Sequence, residues 1–232
     1  MLSFDLFLPA FLTVKDGFIL TVLITVASFA LGQVLALPLA LALTSSRRSL
    51  RVPVSTYTFL IRGSPLLVQL FIVYYGLGQI DLIRHSFLWP VLRSPIYCAI
   101  FAIGMNSAAY SAELLAGAIR QLPAGQWEAG RALGLHRVVL LLKIILPQAY
   151  RAILPAIANE LVLVMKGSTL ASAVTVMEMT GAARVFVART YAPFETFLIA
   201  GTLYLLMGAV FGRIFRFIEM RGRSPGGNCL GW

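Results

Sequence analysis

Glu160 is the residue of this sequence whose type and setting point most directly to chemistry. It follows Asn159 in the middle of an apolar run, and Asn106 and Ser107 lie in the middle of an earlier one. A carboxylate at the depth of a bilayer costs free energy, so such a residue is a candidate for function, for example as a site for a cation or a proton. The alternative is a structural role, in which Glu160 is hydrogen-bonded to the backbone or to a neighbouring helix.

A second stretch with unusual character runs from Gly125 to Pro147, where polar and charged residues lie between long apolar runs. Its pattern predicts a short helix from Gln126 to Leu133, a break at Gly134 and an amphipathic piece from Val138 to Leu146. One interpretation is a surface connection at the lipid headgroups, with Gly134 as a helix C-cap. The other is a helix–glycine–helix unit that inserts into a groove on a soluble partner, where a glycine lets two backbones approach closely.

The chain that must position these residues has the composition of an integral membrane protein. Of its 232 residues 59% are hydrophobic and 12% are charged, with a mean hydropathy of +0.86, whereas soluble chains carry about 25% charged residues. Five apolar runs are candidates for membrane spans, which need about 20 residues each. They are residues 17–43, 54–80, 95–117, 152–165 and 194–211, with the polar residues 120–151 between the third and the fourth. The sequence therefore predicts one all-α membrane domain, residues 1–232, with about five transmembrane helices.

The formal charge of +10 is explained by orientation in the bilayer. The basic residues lie between apolar runs and not along one soluble face, so nucleic-acid binding is not expected. With five spans, most arginines fall on one side, which the positive-inside rule assigns to the cytoplasm. We therefore expect a periplasmic N-terminus, a cytoplasmic C-terminus and a cytoplasmic Gly125–Pro147 stretch.

Several kinds of site have no support in the sequence. No G-x-x-x-x-G-K-[ST] phosphate loop occurs, so the chain does not bind ATP in that mode. No internal repeat of the kind that marks many secondary transporters is found. His85 and His136 have no other candidate metal ligands at suitable spacing. Cys98 and Cys229 fall on opposite sides of the predicted membrane and cannot form a disulfide.

Four motifs in order resemble those of the inner-membrane permease subunits of ABC importers. They are Glu128-Ala129-Gly130 with Gly134 and Ile145-Leu146-Pro147, similar to the EAA loop; Arg62-Gly63-Ser64-Pro65-Leu66-Leu67-Val68-Gln69; Tyr110-Ser111-Ala112-Glu113 with Gly117-Ala118-Ile119; and Lys166 to Leu170. Together they identify the polar amino-acid permease group over about Gly17 to Phe217. Two positions depart from the pattern. Gly130 replaces a second alanine, at a cost of up to about 1 kcal/mol in helix propensity, and Gly167 replaces a residue that is more often Asp, Asn or Ser.

The resemblance implies the fold and the partners. The fold would be that of a type I ABC importer permease, multi-pass in the bacterial inner membrane. A periplasmic solute-binding protein would deliver the substrate, a second permease subunit would complete the path, and a dimeric cytoplasmic ATPase would drive transport. ATP and Mg would be bound by that ATPase, and this chain would bind no cofactor or metal. Because the two permeases of the basic amino-acid group usually differ, a heterodimer is expected rather than a homodimer.

The same resemblance implies roles for the two stretches described first. The coupling residues would be Gly125, Glu128, Ala129, Gly130, Gly134 and Pro147, with Glu128 at the ATPase interface or capping its own helix and Gly134 as the point of close approach. The substrate path would include Asn106, Ser107, Asn159 and Glu160.

Asn159-Glu160 and the aliphatic run after them resemble the basic amino-acid and opine permeases, and residues 176–195 look especially like octopine and nopaline permeases. The expected substrate is therefore an opine or a cationic amino acid (histidine, arginine, lysine or ornithine). Glu178, near the outer face, is interpreted as a solvated charge or a contact for the binding protein. Two other classes of function are less well supported by these residues. A secondary transporter or channel would use Glu160 as its cation or proton site, and an intramembrane enzyme would need a nucleophile–base pair that the spans lack.

Overall fold

The computed structural model describes residues 4–87 and 89–222, and every regular element within them is helical. Four helical runs are long and apolar enough to cross a membrane, and a sharply bent pair makes a fifth if it counts as one span. The runs are Phe7–Leu43, Pro95–Gln121, Arg137–Val174 and Pro193–Met220, and the pair is Arg48–Gly63 with Leu66–Gln79. The prediction of an all-α chain with about five transmembrane helices is confirmed. Cys229 and the tail after Arg223 lie outside the described residues.

The described helices follow one another with short connections. They are α1 (Phe7–Asp16), α2 (Phe18–Leu43), α3 (Arg48–Gly63), α4 (Leu66–Phe71), α5 (Asp81–Arg84), α6 (Trp89–Leu92), α7 (Pro95–Gln121), α8 (Ala124–Ala132), α9 (Arg137–Leu140), α10 (Leu146–Ser168), α11 (Met179–Thr190) and α12 (Pro193–Gly222). Three-residue to six-residue 3₁₀ or π segments extend several of them: Phe4–Leu6, Ile72–Gly76, Leu77–Gln79, Leu141–Ile145 and Thr169–Val174.

The centre of the fold is the crossing of α2 and α7, where small residues let the two backbones approach. A Cβ added at Gly32 would lie 2.9 Å from the Ser107 side chain, and one added at Gly104 would lie 2.8 Å from Leu31 Cδ2. In a membrane, where lipid tails are as apolar as leucine, such close packing is the main source of helix association. The α2–α7 pair therefore forms the scaffold on which the other helices pack.

The predicted span 54–80 is not one straight helix. The chain turns by 109° between α3 and α4, because Ser64 and Pro65 are extended and a residue before proline avoids the helical region. Side-chain hydrogen bonds hold α3 on α7: the Tyr57 hydroxyl donates to the Met105 carbonyl oxygen and the Thr58 hydroxyl to Glu113 Oε1, each over 2.7 Å.

The predicted boundary between the polar residues 120–151 and the span 152–165 also differs from the structure. Helix α10 begins at Leu146, and a continuous helical run already begins at Arg137. The π segment Leu141–Ile145 immediately precedes Pro147. Because a proline ring clashes with the carbonyl four residues earlier, the wider turn of a π segment lets the helix continue past it.

The interpretation of Glu178 as a solvated charge is wrong, because its side chain is fully buried. It forms the N-cap of α11, where Oε2 accepts from Thr180 N and Oε1 from Gly181 N, both over 2.9 Å. The Tyr204 hydroxyl of α12 donates to Oε2 over 2.6 Å. Burial raises the pKa of the Glu178 carboxyl, and these hydrogen bonds oppose the rise. Together these residues form what we call the Glu178 cluster, which ties α11 to α12.

Candidate functional site

A cavity of about 190 Å³ lies between α4, α7 and α10. Its lining residues are Leu66, Ile103, Asn106, Tyr110, Glu160, Leu163 and Val164. Helix α7 contributes Asn106 and Tyr110 one helical turn apart, and α10 contributes Glu160, whose side chain is only 5% exposed. Two of the four residues predicted to line a substrate path, Asn106 and Glu160, thus meet in one cavity.

The Glu160 carboxylate is buried with little to compensate its charge. No residue that lines the cavity is Lys, Arg or His. Within the described residues, no donor hydrogen-bonds to the Glu160 carboxylate, and the Ser107 hydroxyl beside it has no hydrogen-bond partner either. A buried carboxylate without a partner is costly, so a cationic group of a ligand that enters the cavity would find an unused acceptor.

Gln69 connects this cavity to the bend between α3 and α4. Its Nε2 donates to the carbonyl oxygens of Ile61 and Ser64 over 2.7 and 3.1 Å, and its Oε1 accepts from Asn106 Nδ2 over 3.0 Å. Irregular backbone at membrane depth is tolerated where such partners satisfy it. Gln69 was not among the predicted site residues, although it closes the motif that begins at Arg62.

Tyr110 is a second cavity residue that sequence reasoning did not select. The Arg62 guanidinium lies over its ring, 5.4 Å from the centroid, and the Tyr110 hydroxyl donates to the Arg62 carbonyl oxygen over 3.4 Å. A cation over an aromatic face is stabilised by the ring quadrupole. Arg62 therefore lies against the ring of a residue that lines the cavity. Both residues belong to motifs that the sequence shares with the permease family.

Ser107 and Asn159 do not line the cavity. Ser107 is buried against Gly32 at the crossing of α2 and α7. Asn159 is exposed, because the next residue along a helix points about 100° away and Glu160 takes the inward position. In this chain alone, Asn159 faces outward from the middle of α10.

The stretch from Gly125 to Pro147 forms two short helices with distinct faces. On α8, the residues Gly125, Glu128 and Ala129 are exposed. The opposite face is held to α10 by a reciprocal pair of hydrogen bonds between the Gln126 and Gln148 side-chain amides, both over 2.8 Å. Glu128 is the fifth residue of α8 and does not cap it; Pro123 stands at the N-cap. Its carboxylate has no partner among the described residues.

Two glycines of this stretch differ in their surroundings. Gly134 has φ of +73° and open space around it, which is the left-handed position of a helix C-cap, as one of the two interpretations expected. Gly130 is closely packed within the chain, because an added Cβ would lie 2.5 Å from Leu140 Cδ1. The unusual Gly167 similarly faces Leu66 of the cavity, with 3.0 Å to an added Cβ. Both departures from the family pattern therefore have packing reasons.

Pro147 is exposed, and it lies just after the π segment that lets the helical run continue past it. Among the described residues, no group of three or more His, Cys, Asp or Glu side chains could hold a metal ion.

Comparisons with known proteins agree with this arrangement. The profile of the family described as binding-protein-dependent transport system inner membrane component matches residues 32–224. The octopine transport system permease protein OccM of Rhizobium meliloti is 47% identical over 209 residues, which are 90% of this chain and 85% of that protein. The arginine ABC transporter permease protein ArtM of Haemophilus influenzae is 39% identical over 208 residues, which are 90% of this chain and 91% of that protein.

A solved structure gives the same result for the fold. A chain from the crystal structure of an amino acid ABC transporter with histidines superposes with a TM-score of 0.82 at 30% identity, over 95% of this chain and 99% of that chain. The chain belongs to the family of binding-protein-dependent transport system inner membrane components, and it is a multi-pass permease subunit of an ABC importer, not an enzyme.

Proposed function

We propose that this permease carries an opine or a cationic amino acid through the inner membrane and that Glu160 binds the cationic group of the substrate. The observation that carries the proposal is the Glu160 carboxylate, 5% exposed, in a cavity whose lining holds no positive side chain. The names of the relatives agree with it, since OccM is an octopine permease and ArtM an arginine permease.

Arg62 extends the proposal to the other end of the substrate. Amino acids and opines carry a carboxylate besides the cationic group, and Arg62 lies behind the Tyr110 wall of the cavity. We propose that Arg62 attracts the carboxylate while Glu160 holds the cation. Such a pair would reject substrates that lack either charge.

The cavity of this chain is part of a larger path. Its volume of about 190 Å³ is below the roughly 300–1,000 Å³ of most small-molecule sites. A second permease subunit, different from this one, would supply the remaining walls and would cover the exposed Asn159 on α10. In this arrangement Asn159 and Ser107 support the path without lining this cavity.

The exposed face of α8 is the proposed contact of the partner ATPase, which binds ATP and Mg. Gly125, Glu128 and Ala129 project from the chain there, while Gly130, Gly134 and Pro147 set the geometry of the two short helices. By the positive-inside rule this face is cytoplasmic and the N-terminus is periplasmic, so the solute-binding protein would dock at the opposite end.

Uptake by the reconstituted importer, with binding protein and ATP, tests the substrate proposal. Labelled octopine, arginine, histidine and glutamine are compared for the wild type and for Glu160→Gln. We expect uptake of the cationic substrates to fall by at least roughly 30-fold, since removal of one partner of a buried charge pair costs about 2 kcal/mol or more. Glu113→Gln, the same change at a carboxylate bonded to Thr58, is the matched control and should transport normally.

Two results would overturn this assignment. Equal uptake of arginine by wild type and Glu160→Gln, with intact assembly, would remove Glu160 from the site. Uptake that continues without ATP would instead favour a secondary transporter or channel that uses Glu160 as a cation or proton site.

A further inference from the structure

A second and larger cavity, of about 930 Å³, lies between the ends of α2 and α7 and the helices α8 and α9. Four arginines line it, and we call it the arginine cavity. Its lining residues are Leu41, Thr44, Ser45, Arg47, Leu50, Ile119, Arg120, Leu122, Ala124, Trp127, Arg131, Arg137, Leu140 and Leu141. None of them is acidic, so the cavity has a strongly positive lining.

The arginines of this cavity have few hydrogen-bond or ion-pair partners among the described residues. Arg120 donates to the Leu43 carbonyl oxygen over 2.9 Å and so closes the end of α2, and Arg131 Nε donates to the Trp127 carbonyl oxygen over 3.1 Å. Within the described residues no carboxylate lies within ion-pair distance of Arg47, Arg131 or Arg137. Several like charges around one concave surface repel each other, and an anion placed between them would relieve that repulsion.

The cavity lies at the level where the membrane spans end. The helical runs Phe7–Leu43 and Pro95–Gln121 end here, and the run Arg137–Val174 begins here. Since the ends of membrane spans lie close to the phospholipid headgroups, the cavity lies near one face of the membrane. Apart from Thr44 and Ser45, the remaining lining is largely apolar, with Leu41, Leu50 and Leu141 among it. A small hydrophilic anion would make no use of this apolar surface.

We infer that the arginine cavity binds the headgroup of an anionic phospholipid. Its phosphate would lie between Arg47, Arg131 and Arg137, and its glycerol and first methylene groups would contact the leucines. Trp127 has the amphipathic ring that suits the membrane interface, and basic pockets between transmembrane helices are a known setting for anionic headgroups. Because one wall is formed by span ends and the other by α8 and α9, the bound lipid would brace the short helices against the membrane domain.

The test uses the complete importer, purified with its partner subunits and placed in nanodiscs of phosphatidylcholine with or without phosphatidylglycerol. Native mass spectrometry after detergent release counts the phosphatidylglycerol molecules retained per copy of this chain. We expect one retained molecule, with affinity reduced about 30-fold in the double variant Arg47→Gln, Arg137→Gln, since each basic residue near a membrane surface contributes a factor of roughly five. Arg48→Gln, which removes the same charge from the same face outside the cavity lining, should leave retention unchanged.

Three outcomes would overturn the inference. In the first, retention is the same in the double variant and in the wild type. In the second, inorganic phosphate or glycerol phosphate displaces the lipid at equal concentration, which would make the site one for a soluble anion. In the third, a cysteine at Leu50 cross-links efficiently to a partner subunit in the assembled importer, which would show that protein fills the cavity. If the double variant fails to assemble, the single variants Arg47→Gln and Arg137→Gln replace it, and each should weaken lipid retention about five-fold.

Discussion

Glu160 and Glu178 are both buried carboxylates, 5% and 0% exposed, yet their surroundings are opposite. Glu178 accepts hydrogen bonds from Thr180 N, Gly181 N and the Tyr204 hydroxyl. Glu160 has no donor of ordinary hydrogen-bond length among the described residues, and it faces a cavity. Burial alone therefore does not distinguish a structural carboxylate from one that binds a ligand. The number of hydrogen-bond donors that the chain places around the carboxylate does.

The position of each residue in its helix explains this difference. Glu178 precedes the first turn of α11, where backbone N–H groups have no intrahelical partner and a carboxylate can accept from them. Glu160 lies in the middle of α10, where the backbone N–H groups are already bonded within the helix. Its partner must therefore come from another helix, another subunit or a ligand.

Removing each carboxylate in turn is the strongest test of the contrast between Glu178 and Glu160. Glu178→Ala removes the carboxylate that accepts from the Tyr204 hydroxyl and from two backbone N–H groups, so we expect a loss of about 3–5 kcal/mol in the free energy of unfolding. For a chain of this size that corresponds to a fall of roughly 10 °C in the midpoint of thermal unfolding. Thermal denaturation of the purified importer measures it.

Glu160→Ala is the matched control for that experiment. It removes a carboxylate that has no hydrogen bond to lose, so its unfolding midpoint should stay within about 2 °C of the wild type. A loss of stability as large as that of Glu178→Ala would mean that Glu160 is structural, and the comparison would fail.

Gly17→Ala examines how tightly the Glu178 cluster is packed. An added Cβ would lie 2.5 Å from Glu178 C and from Met179 N, and backbone atoms cannot move aside as a flexible side chain can. We expect a loss of about 1–3 kcal/mol in the free energy of unfolding, as for other overpacked sites. Gly201→Ala, where an added Cβ meets open space, is the control and should be neutral or slightly stabilising. Equal stability of the two variants would show that the cluster can relax.

The smallest expected effects come from two buried hydroxyls. Thr21 Oγ1 accepts from Met179 N over 3.1 Å, so Thr21→Val should cost about 1 kcal/mol. Ser107 Oγ, beside Glu160, has no hydrogen-bond partner, so Ser107→Ala should leave the stability unchanged or raise it. Chemical or thermal unfolding of the two variants side by side gives the ranking, and the reverse order would contradict the distinction between the two regions.

Much of the architecture was predictable because membrane spans have a strong signal in composition. The count of about five spans, the short helices on either side of Gly134 and the burial of Glu160 follow from apolar length, turn residues and a lone carboxylate. The bend at Ser64 and Pro65 was visible as an interruption, but its angle of 109° was not, because it depends on how Gln69 satisfies the freed carbonyls.

The sequence predictions that failed depend on contacts between residues that are distant in the sequence. Glu178 was interpreted as a solvated charge because of its place near the predicted outer face, while Tyr204 and Gly17, which enclose it, are far away in the sequence. Asn159 and Glu160 were treated as one unit, although helical geometry places them on different faces. The arginine cavity brings together Arg47, Arg120 and Arg137, which are separated by up to 90 residues. A local sequence pattern cannot predict a cavity formed by residues so far apart.

The continuous helical run from Arg137 to Val174 has a mechanical consequence. Its first turn follows α8 directly, and Glu160 lies about 35 Å further along at 1.5 Å per residue. A tilt of only 5° at the Arg137 end would move the carboxylate by roughly 3 Å, which is the length of one hydrogen bond. The helix therefore acts as a lever arm. A small displacement of α8 would be enough to form or to lose the contact between Glu160 and a cation in the cavity.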